Sequence, residues 1–528
     1  MTSQHTLIIT PASKDAILNS ILENVRTSNA REPQLYFGAR ECELHAEMPL
    51  LINLPSSPLA CREPPNEFEA ITDHFSAQVH AFFHALHELE NMSAKQPPDE
   101  LPLIRKDEGL RPTIQIVNQS FDIYPDCWHR YFHTRRLTVH NPDTLPLLHR
   151  ATQLRVLPAL NYSSEPGMNM VHMRPVSPRV PLGLALRLPN LRELDCPWLW
   201  ERLPVAFSSR ALRKYTRVWE GPWRDARMEF YRGVRDVRLS LPDSFKKARL
   251  WFWKPDPYGD DADQAAPMPD LVCASSWSEF GGCDALSLGL RNLATCLAEL
   301  DVRALITPNL FPSEGRPLSW PHMRHLKIEF HPCAPDGRWY FSGPRGEDPH
   351  PTGYTITAKE HYPPGLENDE ETHEMWSREE DEYDGEDDIT LERRPDMFRT
   401  CPINDRINPL LLAFATSLKG KIQSIQDADL FTWLTWRPSE ERAREYAGSD
   451  DAPPSAEDEY VMFRWGVKYD KPKGGGIGKV VWQVGEDWRP ANEVMAAFED
   501  LVGEGGENME WKPLVFVEKR EEDPSDYM

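Results

Sequence analysis

The sequence has no long apolar run, and that absence narrows the field first. No stretch approaches the roughly 18–20 apolar residues a membrane-spanning helix needs, so no bilayer crossing is expected. Met1 to Thr10 lacks a basic patch followed by an apolar stretch, and no secretory signal is expected. Cysteine is sparse and unpatterned. Nine residues, an odd count, stand at Cys42, Cys61, Cys127, Cys196, Cys273, Cys283, Cys296, Cys333 and Cys401, with no C-x-x-C among them. In a long chain this reads as free thiols in a reducing compartment, cytoplasm or nucleus. Positive charge is in deficit: 59 Lys and Arg against 83 Asp and Glu, net −24. So acidic a surface repels phosphate, which argues against nucleic acid and anionic membranes as partners.

Catalytic signatures are missing too. There is no G-x-S-x-G elbow, and Cys127-Trp128-His129 are adjacent only along the chain. Gly474, Gly475, Gly476 and Gly478 before Lys479 are not a phosphate loop. The spacing is one residue short, Val480 stands where Ser or Thr is needed, and a strand follows where a helix should begin. A turn is the expectation. His80, His84 and His87 share one flank of a helix at spacings of four and three, within reach of one metal ion. Ala81 breaks the H-E-x-x-H pattern and no fourth ligand can be named, so a polar helix flank is expected. No catalytic, cofactor-binding or metal residue is assigned, and the chain is not expected to be an enzyme.

What is present is proline, 49 residues or nearly twice the usual share of about 5%. Proline is excluded from helix interiors and central strands, so many short elements joined by stiff loops are expected. With 528 residues, the chain exceeds the ~250–300 that one core usually holds, which points to several domains or a repeat array. Its 17 Trp and 40% hydrophobic residues suffice to bury a sizeable interior.

Ser13 can cap a first helix carrying Ile17, Leu18, Ile21, Leu22 and Val25. The clearest helix follows, with Phe68, Ile71, Phe75, Val79, Phe82, Phe83, Leu86 and Leu89 on one stripe. From about residue 110, strand-like runs alternate with Leu-rich segments: 113–117, 136–140, 153–157, 191–196, 234–239, 297–302 and 323–330. "LPNLRELDC", "LAELDV" and "WPHMRHLKIEF" share the phrasing of a leucine-rich-repeat strand, with Leu inward and the intervening polar residues outward. An ordinary α/β domain with Leu-rich strands is the alternative. Dense Trp residues (Trp198, Trp200, Trp219, Trp223, Trp251, Trp253) are expected mostly in the core, with a few as binding anchors.

The expected fold class is α/β: an irregular leucine-rich-repeat-like solenoid with an N-terminal helical segment and a C-terminal α+β capping module. The divisions are 1–109, helical; 110–335, repeat-like; 336–396, an acidic insertion expected to be disordered; 397–520, the α+β module; and 521–528, a tail.

"NEFEAITDHFSAQVHAFFHAL", "LPNLRELDCPWLW", "NPLLLAFATSLKG", "DLFTWLTWRPS" and "WGVKYDKPKGGGIGKVVWQVGEDWRPANEV" together carry a family resemblance. The chain resembles F-box and F-box-like proteins of filamentous fungi, over most of residues 68–518. The resemblance implies an N-terminal F-box docking on a Skp-type adaptor of a cullin ubiquitin ligase, with the repeat-like remainder selecting a protein substrate. An F-box opens with Leu-Pro, a Glu soon after, then Ile-Leu and Leu. This chain offers only Pro11, Ile17-Leu18 and Ile21-Leu22. Three functions stay open: an F-box-like receptor or a relative that has lost its F-box, a binding scaffold unconnected with ubiquitin, and an enzyme with an unrecognised site.

Overall fold

The computed structural model describes residues 15, 18–19, 41–46, 65–97, 103–104, 109–116, 136–158, 175–197, 199, 219–253, 263–272, 279–313, 318–362, 395–449, 451, 461–472, 477–485, 488–502 and 508–517. In chain order the elements are β1 (Glu41–Ala46), α1 (Pro65–Lys95), β2 (Arg111–Ile116), β3 (Gln153–Pro158), α2 (Arg179–Ala185), β4 (Glu193–Cys196), α3 (Glu220–Val237), β5 (Lys247–Trp251), β6 (Pro269–Asp270), α4 (Ala285–Leu293), β7 (Glu299–Ala304) and β8 (His325–Phe330). Then come β9 (Phe341–Ser342), β10 (Tyr354–Thr355), β11 (Cys401–Pro402), α5 (Asn404–Gly420), β12 (Asp427–Trp436), α6 (Glu440–Tyr446), β13 (Val461–Asp470), β14 (Lys479–Gln483), α7 (Asn492–Val502), β15 (Met509–Lys512) and β16 (Phe516–Val517).

The architecture is mixed α/β around a mostly parallel sheet of twelve strands, ordered β1-β2-β3-β4-β5-β7-β8-β12-β13-β14-β15, with β16 also on β13. From β1 to β12 every neighbouring pair is parallel. Parallel neighbours need a crossover connection. Helices α2, α3, α4 and α5 lie in the connections after β3, β4, β5 and β8. Beyond β12 the sheet turns antiparallel through β13 and β14.

Period-two patterning explains how the sheet meets its core. Leu154, Leu194, Ala248, Leu300, Leu326 and Ala428 fall opposite one another across six strands, and all are buried. Two residues on, Cys196, Leu250, Val302, Ile328, Leu430 and Val467 form a second buried row. Helix residues Phe230, Val234, Leu286, Leu290, Leu410 and Phe414 join the same core. Each buried Leu, Val, Ile or Phe among them contributes about 1.5–3 kcal/mol through burial.

Several expectations need correction. Residues 234–239 were expected as a strand, but 234–237 are the last turn of α3. Trp223, Phe230, Val234 and Val237 are buried at helical spacing. The strand in that stretch of chain is β5, "KARLW", further on. The run at 136–140 makes only a single bridge, Leu137 to Val176. Residues 336–362, placed in the disordered insertion, are folded: Trp339, Tyr340 and Phe341 are buried, β9 pairs with β11, and β10 with β6. The described residues of 397–520 are not set apart from the main body: β12 extends the parallel sheet from β8, and α5 and α7 share the main core, while Phe398, Trp436, Tyr446 and Val461 form a smaller cluster of their own. The N-terminal amphipathic stretch lies outside the described residues except Asp15, Leu18 and Asn19. No helix among the described residues is long and apolar enough to cross a membrane.

Candidate protein-binding face

The face of the parallel sheet opposite the Leu rows carries ionisable side chains in register. Along the row nearest the strand starts run Glu193, Lys247, Glu299, His325 and Asp427. Along the next run Arg155, Asp195, Arg249, Asp301, Lys327, Asp429 and Lys468. In this second row the sign alternates at every step across seven strands. A third row holds Trp251, Arg303, Glu329 and Phe431.

Alternation lets most of these charges pair with a neighbouring strand, while Lys468 pairs along its own strand with Asp470. Lys247 lies 3.4 Å from Glu193 and 3.7 Å from Glu299. Asp195 accepts from Arg155 Nε at 3.0 Å and is gripped by two nitrogens of Arg249. Lys327 is 3.6 Å from Asp301, and Arg303 is 2.9 Å from Glu329. Arg464 on β13 pairs with Asp429 at 2.5 Å, and His325 hydrogen-bonds Asp427. Like charges placed opposite one another would be destabilising, whereas opposite charges contribute roughly 0.2–1 kcal/mol per pair.

Exposure is uneven. Lys247 in the first row and Lys327 in the second are each 48% exposed, whereas Arg155 and Asp195 in the second row and Arg303 and Glu329 in the third are largely buried. In the third row the Trp251 indole N–H donates to Asp301 at 2.9 Å, and the Arg303 guanidinium stacks 4.0 Å over the Trp251 ring. Burial pushes the Asp429 carboxyl up, against the pull of Arg464, Lys468 and Lys327. Burial and the neighbouring Asp195 push the Cys196 thiol well up beneath the second row. Chemically the face is an array of oriented donors and acceptors. Such an array favours one charge pattern over others more than it supplies raw affinity.

The other residues singled out by sequence sit elsewhere. His80 and His87 reach the backbone carbonyls of His140 and Leu147, at 2.9 and 3.2 Å, and so tie α1 to the 140–147 segment. Among the described residues no group of three or more His, Cys, Asp or Glu could hold a metal ion. Gly474 to Gly476 and Cys127 to His129 lie outside the described residues, while β13 and β14 pair as a hairpin across the glycine segment. Trp223, Trp251 and Trp253 are buried, and Trp198 and Trp200 lie outside the described residues. Among the described residues the cysteines Cys42, Cys196, Cys283, Cys296, Cys333 and Cys401 are free thiols.

The sequence phrase "L-x-E-L-D" marks the polar residues as outward-facing. It does not reveal the pairing between strands, because register depends on connections whose lengths vary. Arg249 was missed together with its strand, while Trp251, singled out only as one of a group of tryptophans, turns out to lie on the same strand and the same face. No family model matches the chain, and neither does any curated protein or any solved structure.

Proposed function

We propose that the chain is a protein-interaction module whose receiving surface is the charge-alternating face of the parallel sheet. In this reading it is an irregular leucine-rich-repeat-like receptor, with residues 397–520 closing one end. The observation that carries it is the strand order. From β1 to β12 the strands follow one another in space as in the chain, apart from the short β6, β9, β10 and β11. In a repeat array that progression brings the outward residues of every unit onto one continuous surface, and such surfaces bind partners.

The F-box resemblance adds a second contact, with a Skp-type adaptor, through residues 7–30. A module without that contact is a scaffold unconnected with ubiquitin ligases. One experiment separates them: affinity capture of the full chain and of a chain lacking residues 1–30, compared by quantitative mass spectrometry. Adaptor recovered with the full chain and lost on truncation supports the receptor. Adaptor absent from both leaves the scaffold, and the partners common to both chains are then those of the sheet face.

A further inference from the structure

A cleft of about 590 Å³ opens on the helical side of the molecule, between α2, α3 and the 136–143 segment. Its size lies within the ~300–1,000 Å³ common for small-molecule sites. The walls are chiefly apolar, with Val139, Val180, Leu186, Pro222 and Val237 among them. Three arginines and three acids also line it: Arg136, Arg179, Arg187, Asp143, Asp225 and Glu229.

Most of these charges are already answered. Arg179 pairs with Glu229 at 3.3 Å and with Asp236 at 2.7 Å. Arg136 donates to the Pro222 carbonyl at 3.1 Å and lies in the field of Asp225. Asp225 accepts the Tyr362 hydroxyl at 2.9 Å and lies 3.7 Å from Arg224. Arg187 differs. Its guanidinium makes no hydrogen bond or ion pair among the described residues, and its Nε is shut off from solvent. Asp143 also stands without an ion pair among the described residues, but it is exposed. The Arg187 Nε has neither partner nor solvent although its terminal nitrogens are open, whereas the Asp143 carboxylate is exposed, so the cation is the less well compensated of the two. The cleft therefore has more to gain from an anion than from a cation.

We propose that this cleft binds a small organic anion, an apolar body with a single carboxylate-like head seated on the Arg187 guanidinium. The apolar walls take the body, and Arg187 offers a planar fork of donors suited to a carboxylate. The site lies apart from the charged sheet face and does not depend on the protein-binding reading.

The test is calorimetric titration of the full chain with three probes that share one body: 4-phenylbutyrate, 4-phenylbutanol and 4-phenylbutylamine. The expected result is one site per chain for the acid, at least tenfold tighter than for the alcohol, with the amine weakest. Arg187→Gln should bring acid and alcohol to equal affinity. Arg187→Lys, which keeps the charge, should retain part of the preference and guards against a folding defect in the Gln variant. Equal binding of acid and alcohol by the unaltered chain, preference for the amine, or no binding of any probe would overturn the proposal.

Discussion

Arg249 holds Asp195 with two nitrogens, Nε to Oδ1 at 2.6 Å and Nη2 to Oδ2 at 3.0 Å, across directly paired positions of neighbouring parallel strands. Arg155 approaches the same carboxylate from the other side at 3.0 Å. One acid thus separates two arginines, all three largely buried. Asp195→Ala leaves both guanidinium groups without this carboxylate and should cost about 3 kcal/mol. Urea unfolding measures this, and a cycle with Arg249→Met should show the two changes to be strongly non-additive. Additive losses would mean that the pairing contributes nothing.

Asp348 fastens the folded 336–362 segment to the residues that follow the acidic stretch. It accepts from Arg399 at 2.6 Å and from Arg406 at 2.7 Å, and the Arg399 side chain is fully buried. Burial acts to raise this carboxyl, but the hydrogen bonds from Arg399 and Arg406 prevail and hold it below its ordinary value. A lowered folded-state pKa stabilises fully above the unfolded value of about 3.9, and the gain is lost as pH falls through the folded value. Asp348→Asn should therefore destabilise by about 3 kcal/mol at pH 7, and the difference should shrink below pH of about 4. Unfolding curves at pH 7, 5 and 3 give the comparison, and a difference independent of pH would contradict the assignment.

Cys196 lies in the second apolar row, and burial with the adjacent Asp195 pushes its thiol well up. It should resist iodoacetamide at pH 8 in the folded protein and react once urea unfolds it, because the thiolate is the nucleophile. Peptide mapping after a timed pulse reads this out. Rapid labelling of the native chain would show the strand row to be open.

Helices α3 and α4 cross at Gly289, where a Cβ would lie 2.9 Å from the Phe230 ring and 3.2 Å from the Tyr231 Cα. Gly289→Ala gains up to about 1 kcal/mol of helix propensity. The forced separation should outweigh that by about 1–2 kcal/mol, as overpacking does. A lower melting temperature is expected, and a higher one would mean the helices have room to part.

Much of this architecture can be read from residue patterns alone. The Leu positions of β4, β7 and β8 are visible because apolar residues recur at every second place. The helix over Phe68 to Leu89 is visible because they recur at every third or fourth. The same logic misled at 234–239, where Val234, Val237 and Leu239 imitate a strand while Phe230 and Trp223 extend the helical spacing backwards. Residues 336–362 were hidden by their neighbours: the acidic run after Leu366 dominates the composition, while Trp339 and Phe341 are packed inside. The charged rows were half visible. Each strand shows its own outward residues, but Asp195 between Arg155 and Arg249 exists only once register is set by crossovers of unequal length.

We propose above that the alternating face receives a protein partner. The most direct test exchanges two neighbouring charges in its most exposed row, Lys247→Glu with Glu299→Lys, which leaves the net charge unchanged. The exchange sets an acid opposite Glu193, but exposed pairs contribute only about 0–1 kcal/mol each, so the loss of stability should stay small. Captured partners of the unaltered and exchanged chains are then compared by quantitative mass spectrometry, with melting temperature as the control for folding. A partner recovered with the unaltered chain should fall at least tenfold with the exchanged one at equal stability. Identical recovery of every partner would contradict the proposal.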